Sequence, residues 1–125
     1  MPTPTRVELH KKSRTLELSF KEASYVLSAE YLRVFSPSAE VKGHGPGQEV
    51  LQLNKQDVGI TQIEAQGKYA IKITFSDGHN TGLYSWNYLY ELGKNYDKNW
   101  ASYLARVKAH DEQHGAAPVR WITPE

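Results

Sequence analysis

The sequence contains no cysteine among its 125 residues, and this absence excludes several kinds of site at once. The chain forms no disulfide, offers no thiolate nucleophile and supplies no cysteine ligand to zinc or to an iron–sulfur cluster. A surplus of one charge is also lacking, since 15 Lys and Arg balance 14 Asp and Glu and both signs are interspersed. Nucleic acid and anionic membranes are therefore not expected partners.

Long hydrophobic runs are equally absent. No stretch approaches the roughly 18 consecutive apolar residues of a membrane span, and the N-terminal MPTPTRVELH has no signal-peptide core. These absences favour a cytoplasmic protein. The hydrophobic fraction of 39% is nevertheless sufficient for one folded core, so we predict a single domain over residues 1–125 and expect no cofactor.

Alternation of apolar and polar residues predicts several antiparallel strands. RVEL and TLELSF have this period of two and flank the polar HKKSR, which is typical of a hairpin turn. A further strand is predicted at about residues 58–65, and the apolar residues from Tyr69 to Phe75 alternate in the next one. Asp77-Gly78 then favours a type I′ turn, in which both central residues have positive φ.

Helices are predicted where capping residues precede amphipathic segments. Ser28 is placed to cap AEYLRVF, and Ser85 to cap WNYLYEL, which Gly93 is expected to end. Apolar residues at i, i+3, i+4 and i+7 predict a longer C-terminal helix over residues 97–112, followed by a loose tail at 113–125. The predicted fold class is α+β, with short helices and the longer C-terminal helix packed on a mostly antiparallel sheet.

His79, which follows the predicted turn, is the main candidate for chemistry. A histidine after a turn is more often a hydrogen-bonding residue than a metal ligand, and the four other histidines are scattered along the chain. No Gly-x-Ser-x-Gly motif is present, and GHGPGQ at residues 43–48 lacks the strand and helix that flank a phosphate-binding loop. The residues therefore predict no catalytic site and no metal site, and the chain is not expected to be an enzyme.

Two segments, YLRVFSPSAEV and GKYAIKITFSDGHNTGLYSWNYLYEL, resemble the domain at the N-terminus of gamma-butyrobetaine hydroxylase and trimethyllysine hydroxylase. The resemblance covers about residues 6–93 and implies the fold of that domain, which also occurs as short bacterial proteins of unknown function. A similar domain is attached to some Mrp-type iron–sulfur carrier ATPases. The iron site of the hydroxylases lies in a separate domain, so the resemblance implies no oxygenase activity.

In the hydroxylases this domain holds a structural zinc ion through a Cys-Pro-Cys-x-x-Cys run and a histidine on the later hairpin. The resemblance places Ser36, Ser38 and Val41 at the cysteine positions and keeps the histidine as His79. Hydroxyl groups and a valine do not replace thiolates as zinc ligands, so the resemblance implies the fold without the metal. We expect the imidazole of His79 to hydrogen-bond to the segment 36–38 instead.

This expected contact suggests a shallow groove beside the hairpin. The candidate interaction groove is formed by Arg33, Ser36, Ser38, His79 and Tyr84. We therefore expect a non-catalytic accessory domain that binds a protein partner whose identity the sequence does not give. The alternative is a metal-handling or iron–sulfur cluster assembly factor, which the fusions in the family and the retained histidine suggest. A small enzyme is the least favoured interpretation.

Overall fold

The computed structural model describes residues 2–43 and 49–114. Six strands and four helices lie in this part of the chain. In chain order they are β1 (Arg6–His10), β2 (Thr15–Ser19), β3 (Ser24–Ser28), α1 (Ala29–Val34), α2 (Ala39–Lys42), β4 (Ile60–Gln66), β5 (Ala70–Phe75), β6 (Leu83–Ser85), α3 (Trp86–Lys94) and α4 (Tyr96–His114). The predicted α+β class is confirmed, with two separate three-stranded antiparallel sheets, β1-β2-β3 and β4-β5-β6. Among the described residues, no helix has both the length and the apolar character of a membrane span.

The first sheet follows from the period-two alternation of its strands. Leu16 and Leu18 of β2 are fully buried, while Glu17 between them points to the opposite face. The predicted β1–β2 hairpin is present, with Leu9 opposite Leu16. The sequence indicated only a short apolar run after this hairpin, but that run is the third strand, in which Leu27 also pairs with Leu16. One face of the sheet therefore contributes to the core.

The second sheet buries the alternate residues that the sequence pattern predicts. Ile71, Ile73 and Phe75 of β5 are at most 4% exposed, and β5 lies between β4 and β6. The turn between β4 and β5 has Gly67 at a φ of 65°, which glycine adopts without strain. The core of the chain from residue 2 to 94 is built from these two apolar faces together with α1 and α3.

The turn after β5 differs from the predicted type I′ turn. Gly78 has a φ of 92°, but Asp77 is not in the positive-φ region. The amide of Gly78 donates to the Phe75 carbonyl, and the amide of Phe75 donates to the His79 carbonyl. This is a three-residue loop in which a type I turn is followed by glycine. The Asp77 carboxylate accepts the amide of His79 at 3.1 Å, an Asx interaction within this loop.

The predicted caps of α1 and α3 are both confirmed. Ser28 accepts the amide of Tyr31, and Ser85 accepts the amide of Tyr88, each at 3.0 Å. The expected end of α3 at Gly93 is wrong, because the helix continues to Lys94. Glycine is required there for packing, since a Cβ atom at Gly93 would lie 2.4 Å from the ring of Tyr25.

The chain divides into two compact units, Met1–Lys94 and Asn95–Glu125. In the second unit α4 spans Tyr96–His114, slightly longer than the predicted 97–112. The ring of Trp100 stacks on both neighbouring aromatic rings of this helix, with centroids 6.2 Å from Tyr96 and 5.0 Å from Tyr103. The predicted loose tail at 113–125 is wrong for residues 113 and 114, which belong to α4, and its remainder and residues 44–48 of GHGPGQ lie outside the described residues. The single domain over 1–125 stays a prediction.

Candidate functional site

The contact predicted between His79 and residues 36–38 is present. The Nε2 atom of His79 lies 2.8 Å from the Oγ of Ser36 and 3.5 Å from the Oγ of Ser38. These three residues, which we call the serine–histidine cluster, are 1%, 5% and 9% exposed for Ser36, Ser38 and His79. The cluster therefore joins the chain after α1 to the chain after β5 in a buried environment.

Local structure on both sides fixes this cluster. Ser38 is the N-cap residue of α2, and its amide donates to the Ser36 hydroxyl at 3.3 Å. From the other side, Gly82 packs directly on Ser36, because a Cβ atom built on Gly82 would lie 2.5 Å from the Ser36 Oγ. The segment around Gly82 thus covers the cluster so closely that a side chain at this position would displace it.

A charged network borders the cluster. Arg33, only 8% exposed, donates through Nε to Asp77 at 2.9 Å and through Nη1 to Gln52 at 2.9 Å. Lys55 donates to the same Asp77 oxygen at 2.9 Å. Burial alone would raise the pKa of Asp77, but hydrogen bonds from Lys55, the His79 amide and Arg33 outweigh it and lower the pKa to about 2. The carboxylate therefore stays ionised and holds two cations.

His79 itself is held neutral. Burial lowers the pKa of its imidazole, and the nearby positive charge of Arg33 lowers this pKa further. The carboxylates of Glu40 and Asp77 act in the opposite direction without reversing the shift. A neutral imidazole has one N–H and one acceptor nitrogen, so it exchanges a hydrogen bond with the Ser36 hydroxyl without introducing a buried charge.

Tyr84 completes the set of predicted residues. Its hydroxyl donates to the Leu32 carbonyl at 2.6 Å, and burial raises the pKa of this phenol far above its usual range. Two further tyrosines act similarly, since Tyr31 donates to the Leu92 carbonyl and Tyr88 to the Phe35 carbonyl. The carboxyl end of α1, from which the cluster follows, is therefore tied to β6 and α3.

The cluster does not fit a zinc ion. Two neutral hydroxyls and one imidazole meet there, and the remaining position implied by the resemblance is Val41, a buried apolar residue. Zinc sites in proteins use thiolate, imidazole and carboxylate ligands, and a serine hydroxyl is a poor substitute. The observed hydrogen bonds satisfy the same side chains without a metal.

The Ser36–His79 pair also has the spacing of a nucleophile and its base, but not their surroundings. An active nucleophile must reach a substrate, whereas Ser36 is 1% exposed and lies beneath Gly82. Asp77 accepts a bond from the His79 main chain, not from its ring. The geometry is that of a structural joint between two segments.

The structure brings all five residues of the predicted groove together, but each is buried. Arg33 and Tyr84, like the cluster, are less than 10% exposed. The segment that covers them carries Thr81 and Gly82, whereas Leu83, the next residue, projects from the face of β6 opposite to the buried Tyr84. Leu83 is 54% exposed, and the hydroxyl of Thr81 donates to Glu40 of α2 at 2.6 Å. Sequence reasoning did not predict this covering segment. Gly82, three residues after His79, was the one residue that could have indicated a close contact.

Comparison with known proteins supports the resemblance. The profile of the family described as "Gamma-butyrobetaine hydroxylase-like, N-terminal" matches residues 7–90. Two solution structures determined by NMR are similar, one with 51% identity and a TM-score of 0.78 over 88% of this chain and 87% of the other. The second has 49% identity and a TM-score of 0.76 over 89% and 83% of the two chains.

A crystal structure of a protein of unknown function from Acidithiobacillus ferrooxidans, of the DUF971 family, is also similar. It shares 31% identity and a TM-score of 0.60 over 72% of this chain and 91% of that one. No curated protein matches the chain. The family match extends from β1 into α3, the part of the chain in which the serine–histidine cluster lies.

Proposed function

The chain belongs to the gamma-butyrobetaine hydroxylase-like N-terminal family, and from this premise we propose that it is a non-catalytic accessory domain that binds another protein. The observation that carries the proposal is the burial of the serine–histidine cluster. Polar side chains that in an enzyme would face a substrate are here turned inward and hydrogen-bonded to one another. Such a cluster stabilises the surface above it.

The proposed binding site is the outer face of the second sheet at this covering segment, where Leu83 projects on the side opposite to Tyr84 and the other buried groove residues. Gly82 is held against Ser36, so its neighbours on either side have fixed positions. Leu83 lies opposite Lys72 in the sheet, and Lys72 forms an ion pair with Glu64 at 3.3 Å. An exposed leucine beside charged residues provides an apolar contact within a polar rim, the arrangement found in many protein interfaces.

The test compares two exposed aliphatic residues on different sheets. Leu83→Asp changes the proposed surface, while Val26→Asp changes β3, where Val26 is 60% exposed. The proposal is supported if a protein from the native cell is captured by the wild type and by Val26→Asp but not by Leu83→Asp. That captured protein, once purified, should bind the three chains with the same preference. Equal capture by all three chains contradicts it.

The alternative, a metal-handling or iron–sulfur assembly role, has a separate readout. Metal analysis of protein purified from its native cell without a histidine tag distinguishes the two. A stoichiometric metal or cluster that survives dialysis against a strong chelator favours the alternative and contradicts a purely accessory role.

A further inference from the structure

A second group of side chains lies far from the serine–histidine cluster in sequence, on the outer face of the first sheet. Glu8 of β1 pairs directly with Glu17 of β2, and His10 lies two residues after Glu8 on the same strand. Because side chains alternate across a strand, all three project from the same face, opposite to the buried Leu16 and Leu18. We call these three residues the β1–β2 cluster.

The distances within this cluster are close to those of a metal site. The Nε2 atom of His10 lies 3.0 Å from Glu17 Oε1 and 4.0 Å from Glu8 Oε1, and one ligand atom from each residue lies within 4.8 Å of the others. Ligands about 2.0–2.2 Å from a tetrahedral zinc ion are roughly 3.3 Å apart. The separation of His10 and Glu17 is already near this spacing, while Glu8 lies farther away on a partly exposed side chain.

The charges of the cluster also favour a cation. Two carboxylates directly opposite each other in a sheet repel, and this arrangement costs stability unless a positive charge lies between them. Arg6 supplies part of that charge, since its Nη2 atom lies 3.1 Å from Glu8 Oε1. Glu17 has the imidazole of His10 as its neighbour. A divalent ion placed among the three donors would neutralise both carboxylates at once.

The donor set identifies the class of ion. One imidazole nitrogen and two carboxylate oxygens match zinc and its neighbours among the divalent transition metals, whereas calcium and magnesium prefer oxygen ligands alone. We propose that Glu8, His10 and Glu17 bind one divalent ion of the zinc class, with water at the remaining position. This site is independent of the proposed protein-binding surface, because its residues come only from the β1–β2 hairpin.

The test is a calorimetric titration of tag-free protein with zinc chloride alone. We expect one ion per chain, bound with micromolar affinity. His10→Ala, Glu8→Gln and Glu17→Gln should each weaken binding by at least about tenfold, because the first removes one of only three protein ligands and the others replace a carboxylate with a neutral amide. Arg6→Ala is the matched control, since it removes a neighbouring charge but no ligand; binding should be unchanged or tighter.

A second measurement locates the ion. Cobalt(II) added to nitrogen-15-labelled protein should broaden the amide signals of residues 8, 10 and 17 before those of residues 36 and 79, where the buried imidazole lies. Spectra of the three variants recorded without metal should match that of the wild type, which shows that the variants are folded. Absence of binding, or a His10→Ala variant that titrates like the wild type, overturns the proposal. So does a loss in His10→Ala that neither glutamate variant shares, because that result means binding by a single imidazole.

Discussion

His79 and His10 are two histidines in contrasting surroundings. His79 is 9% exposed and bonded to the hydroxyl of Ser36, with Arg33 nearby, so its neutral form is favoured. His10 has a side chain 44% exposed and lies beside two carboxylates. The comparison shows that the partners of an imidazole decide its role: neutral hydroxyls in a buried site make a joint between segments, while carboxylates at the surface make a set of metal ligands.

The largest expected effect comes from disturbing the cover of the buried histidine. Gly82→Val should destabilise the fold by about 3 kcal/mol, because its Cβ atom would lie 2.5 Å from the Ser36 Oγ and 3.1 Å from Pro37 Cδ. Gly59→Ala is the control, since its Cβ would meet only the Arg14 side chain at 3.8 Å. Urea denaturation of both variants measures the difference. Equal stability would show that the contact at Gly82 relaxes freely.

The next effect concerns the charge network beside His79. Asp77→Asn should cost about 2 kcal/mol, because the pKa of Asp77 falls from 3.8 to about 2 on folding and this shift measures its interactions with cations and amides. The loss should be present at neutral pH and shrink as pH falls from about 4 towards 2, where the wild-type carboxylate is itself protonated. A loss that does not change over this range would contradict an electrostatic role.

The turn that carries His79 gives a smaller effect. Gly78→Val should destabilise by more than about 1 kcal/mol, since Gly78 has a φ of 92° and a β-branched residue is strained there. No neighbouring atom crowds this position, so backbone strain alone is measured. Thermal unfolding of Gly78→Ala alongside Gly78→Val separates the general cost of a side chain from that of β-branching. A fully stable valine variant would contradict the described turn.

The pH dependence of stability tests the buried histidine directly. The pKa of His79 is lowered from 6.5 in the folded chain, so below about pH 6.5 the unfolded chain binds the proton first. Stability should therefore decrease as pH falls through this range and remain constant above it. His79→Gln should remove part of this slope, measured by denaturation at several pH values. An unchanged slope would assign it to other groups.

The smallest expected effect is that of metal removal. Folding is predicted not to depend on metal, because the chain has no cysteine to form a structural zinc site and its core is apolar. Thermal melts with and without a strong chelator should coincide when no zinc has been added. A decrease of several degrees with chelator would show that a tightly bound ion supports the fold.

Local signals in the sequence predicted the elements that depend on neighbouring residues. Ser28 and Ser85 cap helices because their side chains reach amides three residues along, and β2 and β5 bury alternate residues because the strand period is two. The contact of His79 with Ser36 joins residues 43 positions apart, and it was expected only through the family resemblance. Local patterns could not predict this contact because the two residues are far apart in the sequence, not because of their residue types.

The features that sequence reasoning missed share the same cause. Arg33, Lys55 and Asp77 form their network between three distant segments. The run at β3 has three consecutive apolar residues, Tyr25 to Leu27, without the alternation of β2, and its pairing with β2 determines that it is a strand. Asp77-Gly78 is compatible with two turn types, because glycine adopts positive φ in both and only the φ of Asp77 distinguishes them.

The tyrosine hydroxyls that donate to main-chain carbonyls have a consequence for hydrogen exchange. A helix of six residues such as α1 does not persist alone, and short helices usually exchange their amide protons by local fraying. Here the carbonyls of Leu32 and Phe35 accept from Tyr84 and Tyr88, so α1 opens only when contacts with β6 and α3 are lost as well. The amides of α1 should therefore exchange as slowly as those of the central strands, which makes this six-residue helix a reporter of global unfolding.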